Sequence, residues 1–298
     1  MNNLFLDIIK HLSKYDINMK ENYLIYRHIQ NKTPLQKRAK LIKDKKFTYH
    51  FFIPSNFETK KVVIYLHGGG WTTGSVKFYS HILSILANQL KRNIIAFDYP
   101  LAPEHPFPEG LNFCYEAIEN LIKNSSKYRI DQSQIIIMGD SAGANLATAI
   151  CLKAKKEKNF KIKKEILLYP IVQTNFKNNK KYKSIEENGY DYFLNKKLIS
   201  DYLDLYIPNK KYYKNKYVAP LYAKNLFNMP ETLIITANLD PLRDEGYAYA
   251  QKLKHYFNKV TYYNIKNVIH GFFNNFLYFK ENYRVIKIIK RFVGDKIE

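Results

Sequence analysis

Short unbroken apolar runs alternate along this chain with longer stretches of helical period. Val62-Val-Ile-Tyr-Leu66, Asn93-Ile-Ile-Ala-Phe-Asp98, Gln134-Ile-Ile-Ile-Met138, Lys164-Glu-Ile-Leu-Leu-Tyr169, Thr232-Leu-Ile-Ile-Thr236 and Lys259-Val-Thr-Tyr-Tyr263 have the length and β-branched content of strands. Residues 23–29 and 47–53 read as strands too. Helices are predicted over about 80–90, 111–123, 144–154, 243–256 and 276–292. A short amphipathic one is expected at 4–12, with Leu4, Ile8, Ile9 and Leu12 on one face. Apolar runs that do not alternate suit strands buried on both faces. The β-α rhythm therefore predicts an α/β fold, a mostly parallel central sheet flanked by helices on both faces. Residues 173–215 break the rhythm. They are polar, rich in Lys, Asn and Tyr, with one helical piece near 197–206. They read as an insertion over the strand ends, joined there by about residues 1–30 as a helical cap. No repeat and no linker composition divides the chain, so residues 1–298 are expected to form one domain.

Composition narrows the function classes. The chain has 298 residues, 46% hydrophobic and 25% charged, which excludes wholesale disorder and provides for a large core. Lys plus Arg number 48 against 26 for Asp plus Glu, a net charge of +22. Such an excess could steer a protein to nucleic acid or an anionic membrane. The basic residues are overwhelmingly Lys and scattered, whereas base reading favours the bidentate Arg fork. The expectation is solvated lysine faces and no nucleic-acid partner. No zinc-ligand spacing, phosphate loop or dinucleotide fingerprint is present, so no metal and no cofactor is expected. Cys114 and Cys151 fall in apolar, helix-like stretches and read as packed free thiols. No apolar run approaches the ~18 residues of a membrane helix. Asp7 and Lys10 spoil the first residues as a signal peptide, and a cytoplasmic location follows as the expectation.

The chemistry lies at the ends of the predicted strands. Gly139-Asp140-Ser141-Ala142-Gly143 sits between a strong strand and a strong helix. A serine on so tight a turn has strained backbone angles and lifts its hydroxyl above the sheet edge, with the next helix N-terminus aimed at it. His67-Gly68-Gly69-Gly70-Trp71 follows another strand, and three successive glycines let backbone N–H groups approach a substrate oxygen. Gly69, Gly70 and Ala142 are the candidate oxyanion donors. His67 belongs to that loop and reads as its anchor. A serine needs a base, and the base an orienting carboxylate. Only His255 and His270 follow Ser141. His255 lies within a predicted helix, while His270 lies in a loop after the last strand and is the candidate base. Asp240 directly follows a strand and is the candidate acid; Asp244 starts a helix, where a carboxylate has a capping role. Asp140 reads as a structural hydrogen-bonder.

Together these residues resemble the hormone-sensitive-lipase-like family of α/β-hydrolases, in the microbial esterase branch. The resemblance runs from about residue 62 to 273. It includes Asp98-Tyr-Pro-Leu-Ala-Pro-Glu-His-Pro-Phe-Pro108, Val218-Ala-Pro-Leu221, Asp240-Pro-Leu-Arg-Asp-Glu-Gly246 and His270-Gly-Phe272. It implies hydrolysis of short- to medium-chain carboxylic esters without a cofactor, and a helical cap. It puts Asp240 and His270 on triad positions, and Gly69, Gly70 and Ala142 on oxyanion positions. The implied partner is a small-molecule ester; monomer and homodimer stay open. An amide-type hydrolase on the same triad, or a ligand-binding member of the fold without catalysis, are the alternatives. The chain departs from the pattern at Pro100, where Arg is usual, so an ion pair near Glu104 is expected to be missing. Ala144 replaces a common Gly, and Asn112 and Phe113 replace a common acidic pair.

Overall fold

The computed structural model describes residues 18–36, 39–44, 46–55, 57–176, 181–274 and 280–294. Its centre is a sheet of eight strands: β1 (Ala39–Asp44), β2 (Phe47–Phe52), β3 (Val62–Leu66), β4 (Asn93–Ala96), β5 (Ile135–Asp140), β6 (Lys164–Leu168), β7 (Glu231–Leu239) and β8 (Val260–Ile269). In space they run β1-β2-β4-β3-β5-β6-β7-β8. The first two pairings are antiparallel and all later ones parallel. Eight helices accompany them among the described residues: α1 (Met19–Asn31), α2 (Val76–Leu90), α3 (Glu109–Lys123), α4 (Ala142–Glu157), α5 (Lys183–Asn188), α6 (Lys196–Tyr206), α7 (Arg243–His255) and α8 (Glu281–Val293).

The unbroken apolar runs have the reason the pattern implied. Val62, Ile64 and Leu66 of β3 enter one core, whose other walls include Ala147 and Ile150 of α4 and Leu111 and Ile118 of α3. Val63 and Tyr65 point the other way, against Leu83 and Leu86 of α2 and Ile286 and Ile289 of α8. Both faces of the sheet are therefore covered. Parallel strands aligned in this way put all their C-terminal ends on one edge, where β3, β5, β7 and β8 hand over to the candidate residues.

The segment 23–29, expected as a strand, lies inside helix α1. Its aromatic and β-branched content imitates a strand, but the residues facing the core are Met19, Tyr23 and Tyr26, at helical spacing. Leu24, Ile25 and Ile29 face outward, 57–59% exposed. Strand β1 was not anticipated; it is a half-exposed edge strand held by pairing to β2 rather than by an apolar face. Strand β8 runs six residues past the expected end at 263. The expected helix at 4–12 lies outside the described residues, as does the start of the one predicted over 276–292.

Between β6 and β7 lie the described residues of 173–215. They supply α5 and α6, and α6 lies against α1: the Met19 N–H donates to Asp201 Oδ2 at 3.2 Å, and Lys20 Nζ pairs with Asp204 at 2.6 Å. Cys114 and Cys151 are buried free thiols. No described helix is long and apolar enough to cross a membrane.

Candidate active site

Strand β5 ends at Asp140 and α4 begins at Ala142, leaving Ser141 alone on the turn at φ 53° and ψ −119°. That conformation is strained for any residue with a side chain. Crowding fixes the glycines around it. A Cβ on Gly139 would sit 2.4 Å from the Gly143 carbonyl, and one on Gly143 only 2.1 Å from the Leu66 oxygen of β3. The Ser141 N–H donates to the Leu168 carbonyl at 2.9 Å, tying the turn to β6. Asn145, one turn into α4, donates to the carbonyls of Ile171 and Val218 at 2.9 and 2.7 Å, so the loop after β6 is sewn to the same helix.

The Ser141 hydroxyl lies 2.9 Å from His270 Nε2, and His270 Nδ1 lies 2.7 Å from Asp240 Oδ2. A carboxylate only accepts, so Nδ1 carries the imidazole proton and Nε2 is left to accept from the serine. Asp240 follows β7 directly and is fully buried; its second oxygen accepts the Leu242 N–H at 2.8 Å, which fixes the carboxylate plane. His270 follows β8 and is 9% exposed, with the Tyr169 ring edge-on at 4.9 Å. Tyr169 itself sits at φ 35°, an outlier for a bulky residue, at the end of the strand that receives the Ser141 N–H. His255 is exposed at the last position of α7. Asp244 lies in the first turn of α7 but serves another helix: it accepts the Ser184 N–H of α5 at 2.8 Å and Arg243 Nε at 2.8 Å.

The loop after β3 is tied to the same turn, since the Gly68 N–H donates to Asp140 at 2.9 Å and a Cβ on Gly143 would strike the Leu66 and His67 carbonyls. A trans peptide points its N–H opposite to its C=O. The Gly68 carbonyl bonds His67 Nδ1 at 2.9 Å, which sets the direction of the Gly69 N–H. The Gly69 carbonyl accepts Thr72 N, Thr73 N and Thr73 Oγ1 at 3.1, 2.8 and 3.1 Å, which sets that of the Gly70 N–H. Neither amide, nor that of Ala142, donates to another described residue. Gly69 and Gly70 have φ of 116° and 60°, open only to glycine at ordinary energy. A Cβ on Gly70 would lie 2.3 Å from the Tyr202 ring of α6. His67 is stacked on Tyr99 at 4.4 Å, and burial lowers its pKa, so the ring stays neutral and anchors the loop.

The sequence pattern of the α/β-hydrolase fold family matches residues 63–274. The chain belongs to that family. It is 31% identical over 260 residues to an arylesterase of Saccharolobus solfataricus, covering 86% of this chain and 83% of that protein. It is 29% identical over 216 residues to the carboxylesterase NlhH of Mycobacterium tuberculosis, covering 72% of this chain and 66% of that one. The solved structure of a hyperthermophilic esterase from Pyrobaculum calidifontis superposes with a TM-score of 0.83 at 27% identity, over 98% of this chain and 97% of that one. The resemblance to hormone-sensitive-lipase-like esterases read from the motifs agrees with these relatives.

Several groups that support the hydrolase site left little trace in the sequence. Asp140 accepts Tyr65 OH, Tyr79 OH and the Gly68 N–H, each at 2.9 Å, so it braces the glycine loop from below. Burial pushes its carboxyl up to about 6, against the pull of those three donors. Glu245 is buried too, and accepts Val172 N at 2.7 Å and Gln173 Nε2 at 2.9 Å. Burial raises its pKa well above the carboxylate range. The expected gap near Glu104 is filled. Arg27 of α1 pairs with both Glu104 oxygens at 3.0 and 2.9 Å, an arginine supplied from far away in sequence instead of from position 100. Asn112 accepts Lys153 Nζ at 2.8 Å, and Phe113 packs edge-on against Phe47, so the substituted pair serves local packing.

Proposed function

We propose that this chain is a serine carboxylesterase that cleaves short- to medium-chain carboxylic esters through an acyl-enzyme on Ser141. The observation that carries the reading is the hydrogen-bonded chain Ser141–His270–Asp240, at 2.9 and 2.7 Å, beside amides with no other described partner. The family membership and the esterase names of its relatives support the same reaction class. In this reading His270 takes the Ser141 proton as the oxygen attacks the ester carbonyl. Negative charge then builds on the former carbonyl oxygen, where Gly69, Gly70 and Ala142 donate to it. His270 returns the proton to the leaving alcohol, and water repeats the cycle to free the acid. Asp240 holds the imidazole tautomer and balances the imidazolium. Every step uses side chains and amides of this chain together with solvent water. In this reading about residues 1–30 and 173–215 contribute the cap of a single hydrolase domain, and among the described residues their helices are α1, α5 and α6.

The test is hydrolysis of p-nitrophenyl acetate, butyrate and octanoate by the wild type and Ser141→Ala. The variant should lose activity by ~10⁴-fold or more, as nucleophile removal does in serine hydrolases generally. Rates should peak at acetate to butyrate. Retained turnover in the variant would refute the assignment, and faster cleavage of matched anilides than of esters would move it to the amide class.

A further inference from the structure

Helix α1 touches the glycine loop through one side chain. Arg27 Nε donates to the Thr72 carbonyl at 2.7 Å, and Nη2 to the Ala102 carbonyl at 2.7 Å. The outer guanidinium edge is paired with Glu104, and the Tyr23 ring backs it at 4.9 Å. Next to it, Gln30 Oε1 accepts the Gly74 N–H at 2.7 Å. Helix α1 therefore holds both ends of the turn 72–74, using a planar, rigid fork that grips two backbone carbonyls at once.

That turn governs an oxyanion donor. Thr72 and Thr73 are the residues whose N–H groups hold the Gly69 carbonyl, and the Gly69–Gly70 peptide carries the Gly70 N–H on its opposite edge. Rotating the turn rotates that amide. Gly70 has no side chain to resist; its carbonyl accepts Thr72 Oγ1 at 3.1 Å, so that contact too moves with the turn, and the Tyr202 ring lies where its Cβ would be. Without the guanidinium, the Thr72 and Ala102 carbonyls lose a charged donor in a half-buried position, and the turn loses its fixed reference.

We propose that Arg27 is a positioning residue for catalysis: lying outside the triad, it sets the orientation of the Gly70 N–H by clamping the Thr72 carbonyl from the N-terminal helix. The inference rests on the esterase reading above. It adds that α1 controls the transition state rather than substrate entry alone.

The experiment compares wild type, Arg27→Ala, Arg27→Lys and Lys20→Ala with p-nitrophenyl butyrate, together with inhibition by an alkyl boronic acid as tetrahedral mimic. Because an oxyanion donor matters in the transition state and little in the ground state, Arg27→Ala should lower kcat at least ~10-fold with KM changed less than ~3-fold, and weaken the boronic acid in step with kcat. Arg27→Lys, which reaches one carbonyl at a time, should fall between. Lys20→Ala removes the exposed α1–α6 ion pair and leaves Arg27 in place; its kcat should stay within twofold. Glycine-labelled protein gives a readout independent of turnover, since the chain has only 11 glycines. The Gly69 and Gly70 amide signals should move in Arg27→Lys while that of Gly294 stays.

A folded Arg27→Ala with wild-type kcat would overturn the proposal, and so would a rise in KM alone. If Arg27→Ala does not fold, Arg27→Lys decides by the same two criteria. Failure of the esterase reading has a different signature: the wild type itself would not turn over or bind the boronic acid.

Discussion

At the scale of single residues, the site separates two neighbouring aspartates by what each one faces. Asp240 sees His270 Nδ1 and the Leu242 amide; Asp244 sees Arg243 and the first turn of α5. Burial works to raise the Asp244 pKa, yet Arg243 and the Ser184 donors hold it below the usual carboxylate range. The two should therefore respond differently to the same change. Asp240→Asn offers Nδ1 the wrong partner and should lower kcat by ~10³–10⁴-fold, the size seen when a triad aspartate is neutralised. Asp244→Asn should change kcat less than tenfold and instead lower the melting temperature. Steady-state kinetics with a thermal melt of both variants checks this, and equal kinetic losses would contradict it. Both aspartates follow the same strand in one motif, and the structure puts Asp240 at the strand end and Asp244 in the first turn of the helix, where their sequence positions place them. That much was legible. Asp140 could be set aside as the acid from its side of the turn, but its three donors come from β3, the glycine loop and α2, a convergence no local pattern announces.

At the scale of elements, the parallel strands were readable because burial on both faces forces continuous apolar runs, and Gly139 and Gly143 betrayed the tight turn into α4. Helix α1 was misread because its inward face is aromatic and its outward face carries Leu24, Ile25 and Ile29, so polar contrast is weak. The Arg27–Glu104 pair was invisible for a related reason: a long-range partner replaced the local one expected at position 100. Another hidden feature lies where α4 packs on the sheet. Glu165 of β6 is fully buried, accepting Thr232 Oγ1 of β7 at 2.9 Å beneath Cys151 and the Thr148–Tyr249 pair that joins α4 to α7. Burial pushes its carboxyl from the ordinary 4.5 up to about 7, against the pull of these neighbours. The native state thus holds this proton more tightly than the unfolded chain does. The stabilisation is full below about pH 4.5 and is lost as pH rises through about 7, a span linked to ~3 kcal/mol. Glu165→Gln keeps an acceptor for Thr232 and cannot ionise. Urea unfolding should show the variant gaining stability over wild type at pH 8 and matching it near pH 4.5; the opposite order would contradict the assignment.

At the scale of the whole molecule, one sheet edge collects what the chain scatters over about 200 residues. Loops after β3, β5, β7 and β8 carry Gly69 and Gly70, Ser141, Asp240 and His270, while α1 and α6 close on the glycine loop from outside: Trp71 stacks on Tyr206 at 4.3 Å and 5°, and Phe107 N–H donates to the Tyr206 carbonyl at 2.9 Å. The net charge of +22 comes chiefly from lysines. Some of them meet acids at exposed positions such as Lys20–Asp204 and Lys259–Glu231, where an ion pair contributes about 0–1 kcal/mol. The convergence of distant residues on one hydroxyl is the central claim, and covalent trapping tests it most directly. The wild type and His270→Ala are treated with a fluorophosphonate, and the adduct is located by peptide mass spectrometry. One adduct per chain is expected, on Ser141, formed at least ~10²-fold more slowly without the imidazole that removes its proton. An adduct on another residue of the active protein, or equal labelling of Ser141 in both, would contradict it.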